Sequence, residues 1–200
     1  LNVLVEEYAH PQPHDILSVF RAPTIRPATV EDAIPLAANL RPADRAEAEG
    51  VYDDVVGGLA WGIMDSAEAW VAVECVIPGD EITHQNKQAP CEIRPDEITH
   101  PRIIAAWGVI DEGSLLVPVG RVWCMTTPLV ERHARHFARE SRRIVARWKR
   151  RYWKLYNTVD ADYAVSVRWL EWLSFDIGPP WENDRGRFFR SFEWQADGSR

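Results

Sequence analysis

The chain has 200 residues, 46% of them apolar, and carries a net charge of −7. That length suits one globular domain with an added arm rather than two full domains, and a core of this size needs no disulfide or metal staple. Three scattered cysteines, Cys75, Cys91 and Cys124, exclude a disulfide framework or a zinc knuckle. The longest apolar run, residues 103–110, is far too short to cross a membrane, and the expectation is a soluble protein of a reducing compartment.

In chain order, residues 1–23 contain Pro11, Pro13 and Pro23 with no sustained period, and read as an N-terminal arm. Residues 24–29 predict a short strand. Thr29, followed three positions later by Asp32, begins a helix by a capping-box pattern; Val30, Ile34, Ala37, Ala38 and Leu40 form its apolar side. Arg41-Pro42 breaks it, residues 43–50 predict a second helix closed by Gly50, and residues 51–59 a third. Two runs rich in β-branched and aromatic residues, 69–77 and 102–110, predict strands, separated by a polar insert, 78–101.

Gly113 predicts a turn, after which 115–119 and 120–127 continue the sheet. A long helix then spans 128–153. Val130, Ala134, Phe137, Ala138, Ile144, Val145, Trp148 and Tyr152 recur at three- and four-residue spacing, and the other face is arginine. Residues 155–160 predict a strand, 164–175 a helix and 185–194 a last strand, leaving 196–200 as a tail. The order, β-αα-βββ-α-β-α-β, describes a mixed α/β sheet. Ten tryptophans require partners for their indole N–H groups if buried, and so point to a rigid core or an interface.

That order, with TIRPATVEDA (24–33) and NTVDADYAVSVRWLEWLSF (157–175), resembles the GCN5-related N-acetyltransferase (GNAT) superfamily across residues 24–195. The resemblance implies an α/β (α+β) fold with a mixed, mainly antiparallel central sheet flanked by helices. More narrowly, residues 40–50, the VWCMTT strand, residues 141–161 and residues 168–175 resemble a GNAT-like family of short-tailed bacteriophages (podoviruses), often labelled internal virion protein A. This implies a virion or host-cytoplasm location, with other phage virion proteins or the chain's own copies as partners.

GNAT enzymes hold the acetyl-CoA pyrophosphate on backbone N–H groups of a glycine-containing loop at a helix N-terminus, because glycine lets the backbone approach the anion. Here the matching residues are Thr126, Thr127, Pro128, Leu129, Val130, Glu131 and Arg132, without a glycine. The tyrosine that many GNAT enzymes use to protonate the departing thiolate falls at Leu170, and the following glycine becomes Ser174. Tyr163 lies two helical turns earlier and reads as a poor substitute. The expectation is therefore a virion-structural or assembly protein working by protein–protein contact, with no catalytic residue, cofactor or metal. The alternative is a CoA-dependent N-acetyltransferase whose acetyl-CoA is held at Met125, Thr126 and Thr127, with Glu74 as candidate base.

Residues 131–154 hold ten Arg/Lys against Glu131 and Glu140, a local charge of +8, so the rest of the chain carries −15. Such a helix could bind nucleic acid by neutralising phosphates, but docking onto acidic protein is the simpler reading. The predicted protein interface comprises Trp172, Trp181, Arg139, Arg143 and Arg150. His133, His136 and Glu140 share a helix face, yet the surrounding arginines repel a metal. The repeated DEITH at 80–84 and 96–100 reads as two arms of an exposed hairpin.

Overall fold

A computed structural model describes residues 23–74 and 102–196. The predicted N-terminal arm, the insert with its DEITH repeats, Cys75 and Cys91 lie outside the described residues. Within them, strands β1 (Thr24–Pro27), β2 (Ser66–Glu74), β3 (Arg102–Asp111), β4 (Val119–Thr126), β5 (Lys154–Asp160), β6 (Asp176–Glu182) and β7 (Phe188–Gln195) form one sheet in the order β1-β2-β3-β4-β5-β7-β6. Every neighbouring pair is antiparallel except β4 and β5. This is the mixed, mainly antiparallel sheet expected.

Helices α1 (Ala33–Ala38), α2 (Pro42–Val51) and α3 (Val55–Asp65) cover one face. There Leu36, Leu40, Ala48, Leu59 and Ile63 pack on Val71, Val73, Ile103 and Ala106. Helices α4 (Ala134–Arg151) and α5 (Ala164–Trp172) cover the other, with Val145, Trp148 and Leu170 packed on Ile104, Trp107, Val122, Leu155 and Val159. Covered on both sides, β3 reads as an unbroken apolar run for the reason central strands usually do.

Several predicted boundaries move, each for a local physical reason. Asp32 accepts the Thr29 N–H at 2.8 Å, as a capping box should, but the first turn it starts is 3-10 (Val30–Asp32). Gly50 does not close α2, which continues to Val51; the lack of a side chain admits Arg187 and Phe189, whose atoms lie 2.9 and 3.1 Å from where a Cβ would stand. The third helix starts and ends later than predicted, at Val55 and Asp65. Residues 115–118 are a hairpin loop, not a strand, with Leu115 and Leu116 fully exposed. A 3-10 turn, Pro128–Glu131, precedes α4. Strand β6 went unpredicted because Pro179-Pro180 argues against a strand; it is an edge strand, with a register shift between Ile177 and Pro180, the setting that tolerates proline.

At Gly108 a Cβ would lie 2.9 Å from the Glu68 carbonyl oxygen and 2.7 Å from both Ser66 Oγ and Trp123 Nε1, which hydrogen-bond each other. Overpacking of this kind costs roughly 1–3 kcal/mol. Gly108→Val should lower the urea midpoint correspondingly at unchanged slope; an unaltered midpoint would contradict this packing.

Candidate functional site

The parallel pairing of β4 and β5 covers only Val119–Arg121 against Lys154–Tyr156, after which the strands part. The gap opens under α4 and α5 into a cavity of about 120 Å³. Trp107, Val122, Trp148, Leu170, Phe175 and Phe192 make its apolar wall, and Phe137 stacks on Trp169 across the two helices, ring centroids 5.4 Å apart. Its polar end carries Asp44 and Glu47 from α2, Cys124 from β4, Asn157 and Thr158 from β5, and Tyr163 and Ser166 around the start of α5.

Parting strands expose peptide groups that would otherwise pair, so each must find another partner. The Val122 carbonyl accepts Asn157 Nδ2 at 2.8 Å. The Thr126 N–H donates to Asp44 Oδ1 at 3.0 Å, and the Thr126 carbonyl accepts the Arg41 N–H at 3.1 Å. Alternate peptide groups of a strand face the same edge, so the Cys124 N–H and C=O also turn toward the gap. They have no hydrogen-bond partner among the described residues. An extended ligand carrying an amide can therefore pair with β4 here as an added strand would.

Asp44 organises this end. It is buried, accepts the Thr126 hydroxyl as well as its N–H, accepts Arg41 Nε at 2.8 Å and the Tyr163 hydroxyl at 3.3 Å. Arg41 lies over the Tyr163 ring. Burial and then the Asp44 charge push the Tyr163 phenol up to about 12, so it keeps its proton. Glu47, one turn along α2, faces the same space. Burial foremost, then the charges of Asp44 and Asp160, push its carboxyl up to about 8; an Asp160 backbone N–H and Arg187 only partly oppose this. Arg187 itself is paired with buried Asp160, and Arg41 with Asp44, so Glu47 is the surplus carboxyl of the cluster. Burial also raises the Cys124 thiol, which stays protonated and is no nucleophile.

Met125, Thr126 and Thr127 do lie at the end of β4 beside this gap, but the two hydroxyls are committed elsewhere. Thr126 Oγ1 is bound to Asp44, and Thr127 Oγ1 donates to the Ile103 carbonyl at 2.7 Å. Met125 packs partly buried against the α1–α3 layer. The N–H groups of Thr126, Thr127, Leu129, Val130, Arg132 and His133 all go to protein acceptors, and Pro128 has none. These seven positions thus offer a diphosphate no N–H group, whereas the N–H groups of Ala134, Arg135 and His136 at the start of α4 have no backbone partner among the described residues, and the gap offers a peptide edge and apolar walls for a pantetheine-type arm. Arg132 and Arg135, exposed and outside any ion pair among the described residues, are the cations nearest in sequence to this turn.

The other predicted residues separate. Leu170 is buried in the cavity wall, while Tyr163, two turns earlier, brings its hydroxyl to the polar end. Glu74 is bound by His133 at 3.3 Å at the far end of β2, away from the cavity lining. His136 meets Arg139 at 3.1 Å and Glu140 meets Arg143 at 2.9 Å, so the helix-face trio has different partners; no three His, Cys, Asp or Glu side chains converge among the described residues. Trp172 and Trp181 are about half-exposed, Arg142 lying over the former. Arg150 caps the Ala146 carbonyl of its own helix. Asp44 and Glu47 were missed because their helix is short and polar; their i, i+3 spacing, which places both on one face, was the available signal.

No helix among the described residues is long and apolar enough to cross a membrane. No family model and no curated protein matches the chain. Solved structures do. Arabidopsis thaliana NAA60 in complex with a bisubstrate analogue aligns with TM-score 0.56 at 13% identity, over 88% of this chain and 100% of that one. A chain of the NatC complex bound to Gag peptide and CoA aligns with TM-score 0.57 at 8% identity, over 88% and 100%. An N-acetyltransferase from Staphylococcus aureus Mu50 aligns with TM-score 0.53 at 12% identity, over 88% and 99%. The chain has the GNAT fold. At these identities the likeness is one of architecture.

The raised Glu47 carboxyl makes a stability prediction. The folded chain holds that proton up to about pH 8, the unfolded chain only through the ordinary carboxylate range. Glu47 therefore costs stability increasingly as pH rises across that window, and no further above it. The Tm of Glu47→Gln minus that of wild type should grow from pH 4.5 to pH 8 and then level; a pH-independent difference would show an ordinary, solvated carboxyl.

Proposed function

We propose that the chain is a GNAT-type N-acyltransferase that draws an acyl thioester on a pantetheine arm into the β4–β5 gap. The observation that carries this reading is the unpaired Cys124 peptide, facing a cavity whose polar end holds a proton acceptor and a proton donor. When bound, the thioester supplies an activated acyl carbon. The chain's residues supply the rest. The Cys124 peptide and apolar wall orient the arm, and Trp107, Trp148 and Phe175 exclude water from it. Glu47, titrating near pH 8, suits removal of a proton from an ammonium acceptor, since a base works best when its pKa lies near the working pH. Tyr163, protonated up to about 12, keeps a proton available for a leaving thiolate. Across the reaction a C–N bond forms, the C–S bond breaks, and a free thiol is released.

The CoA and bisubstrate analogue named with two of the similar structures make acetyl-CoA the first donor to try. Its diphosphate would meet the N–H groups of Ala134, Arg135 and His136 at the start of α4, with side chains such as Arg132 and Arg135 beside them. Turnover of acetyl-pantetheine with a panel of primary amines, followed by thiol release, tests the reading without involving those groups. Thiol release should rise with pH toward 8. Glu47→Gln should lower kcat by about 10²-fold and flatten that rise, within the usual range for a proton-transfer group. Tyr163→Phe should lower kcat with KM little changed. Failure of acetyl-pantetheine and acetyl-CoA alike to release thiol would overturn the proposal.

A second reading keeps a structural role in a bacteriophage virion through protein contacts; the half-exposed indoles of Trp172 and Trp181 favour it. Alanine at both positions should abolish co-purification with virion proteins if that role holds, and leave thiol release intact.

A further inference from the structure

We infer that the acyl donor reaches this site on an acidic carrier protein, its thioester borne on a phosphopantetheine arm, and that the outer face of α4 is the docking surface for that carrier. This rests on the acyl-transfer reading above and goes beyond it by naming the donor's form. Three observations support it. The gap accepts the amide-bearing arm, while Thr126, Thr127, Leu129, Val130, Arg132 and His133 commit their N–H groups to protein acceptors and leave those of Ala134, Arg135 and His136 at the start of α4 for a phosphate. A donor that carries the arm on a single phosphate asks no more than this.

The second observation is the stripe itself. Arg132, Arg135, Arg139, Arg142, Arg143 and Arg150 are all exposed, at spacings that keep them on one side, over a length of about 27 Å at 1.5 Å per residue. Arg132, Arg135, Arg142 and Arg150 have no carboxylate partner among the described residues, and Arg139 and Arg143 share one, Glu140. The third is position. Glu140 lines the cavity, so the two arginines that hold it flank its opening, and the stripe runs past the place where an arm would enter. The rest of the chain sums to −15, so the stripe is the part of the sequence whose charge favours an acidic protein. Charge complementarity of this kind steers encounter and fixes orientation.

The test compares acetylated holo acyl carrier protein, acetyl-CoA and acetyl-pantetheine as donors, in 20 and 300 mM salt, roughly spanning the range over which screening shortens to a few ångströms–tens of ångströms (about 20 Å falling to about 6 Å). The carrier should show kcat/KM at least about tenfold above acetyl-CoA at low salt, and lose that advantage at high salt. Arg142→Glu/Arg150→Glu should raise KM for the carrier by about tenfold or more and leave acetyl-pantetheine turnover unchanged, which also shows that the variant is folded. Acetyl-CoA serving as well as the carrier, or a double variant with unaltered carrier kinetics, overturns the inference while leaving the acyltransferase reading in place. If no donor releases thiol, calorimetry with the holo carrier still decides: binding weakened by the double variant supports the docking surface alone, and no binding overturns it. DNA that displaces the carrier from the stripe with higher affinity at 150 mM salt also overturns it.

Discussion

Two strands that lie side by side for three residues and then separate set the terms for everything else in this molecule. Separation strips hydrogen bonds from both strands, and a buried peptide group without a partner is expensive. The chain meets that demand with side chains. Asn157 reaches across from β5 to the Val122 carbonyl, and Asp44 reaches up from α2 to the Thr126 N–H and hydroxyl. The Cys124 peptide between them is left without a partner among the described residues. The gap is thus propped open at both ends, and what remains inside is one peptide edge and a cavity.

The props also decide the chemistry. Asp44 holds Arg41 and Thr126, and burial together with the Asp44 charge raises Tyr163. The same charge adds to the burial that raises Glu47. A structural carboxylate therefore poises two neighbours at once, one to accept a proton near pH 8 and one to keep its own. Perturbed groups do also arise in purely structural networks; here they face a cavity bordered by an unpaired peptide, which a structural network alone does not require.

The tryptophans follow a related logic. Trp148 and Trp70 both donate to Glu68, Trp123 donates to Ser66 and Trp169 to Ser141. These bonds tie α4 to β2, β4 to β2 and α5 to α4. Trp107, buried in the cavity wall, is the indole whose buried N–H lacks a partner among the described residues.

Much of the architecture was legible from residue order. The capping signal at Thr29, the continuous apolar run of β3, the three–four spacing on α4 and the GNAT-like segments at either end all depend on short-range pattern, and the sheet followed that pattern except at edge strand β6 and the 115–118 loop. Absence of glycine from the turn after β4 was equally plain. What the sequence could not determine was convergence. Asp44 and Tyr163 are 119 positions apart, and Glu47 meets Asp160 only because α2 lies across the sheet's parted strands. Tyr163, dismissed on helical spacing from Leu170, enters the cavity because α5 begins there and its first turn faces α2. Pairwise spacing along a chain sets local shape, but the charge and dryness that shift a carboxyl depend on neighbours brought together by tertiary packing, and those only the folded structure decides.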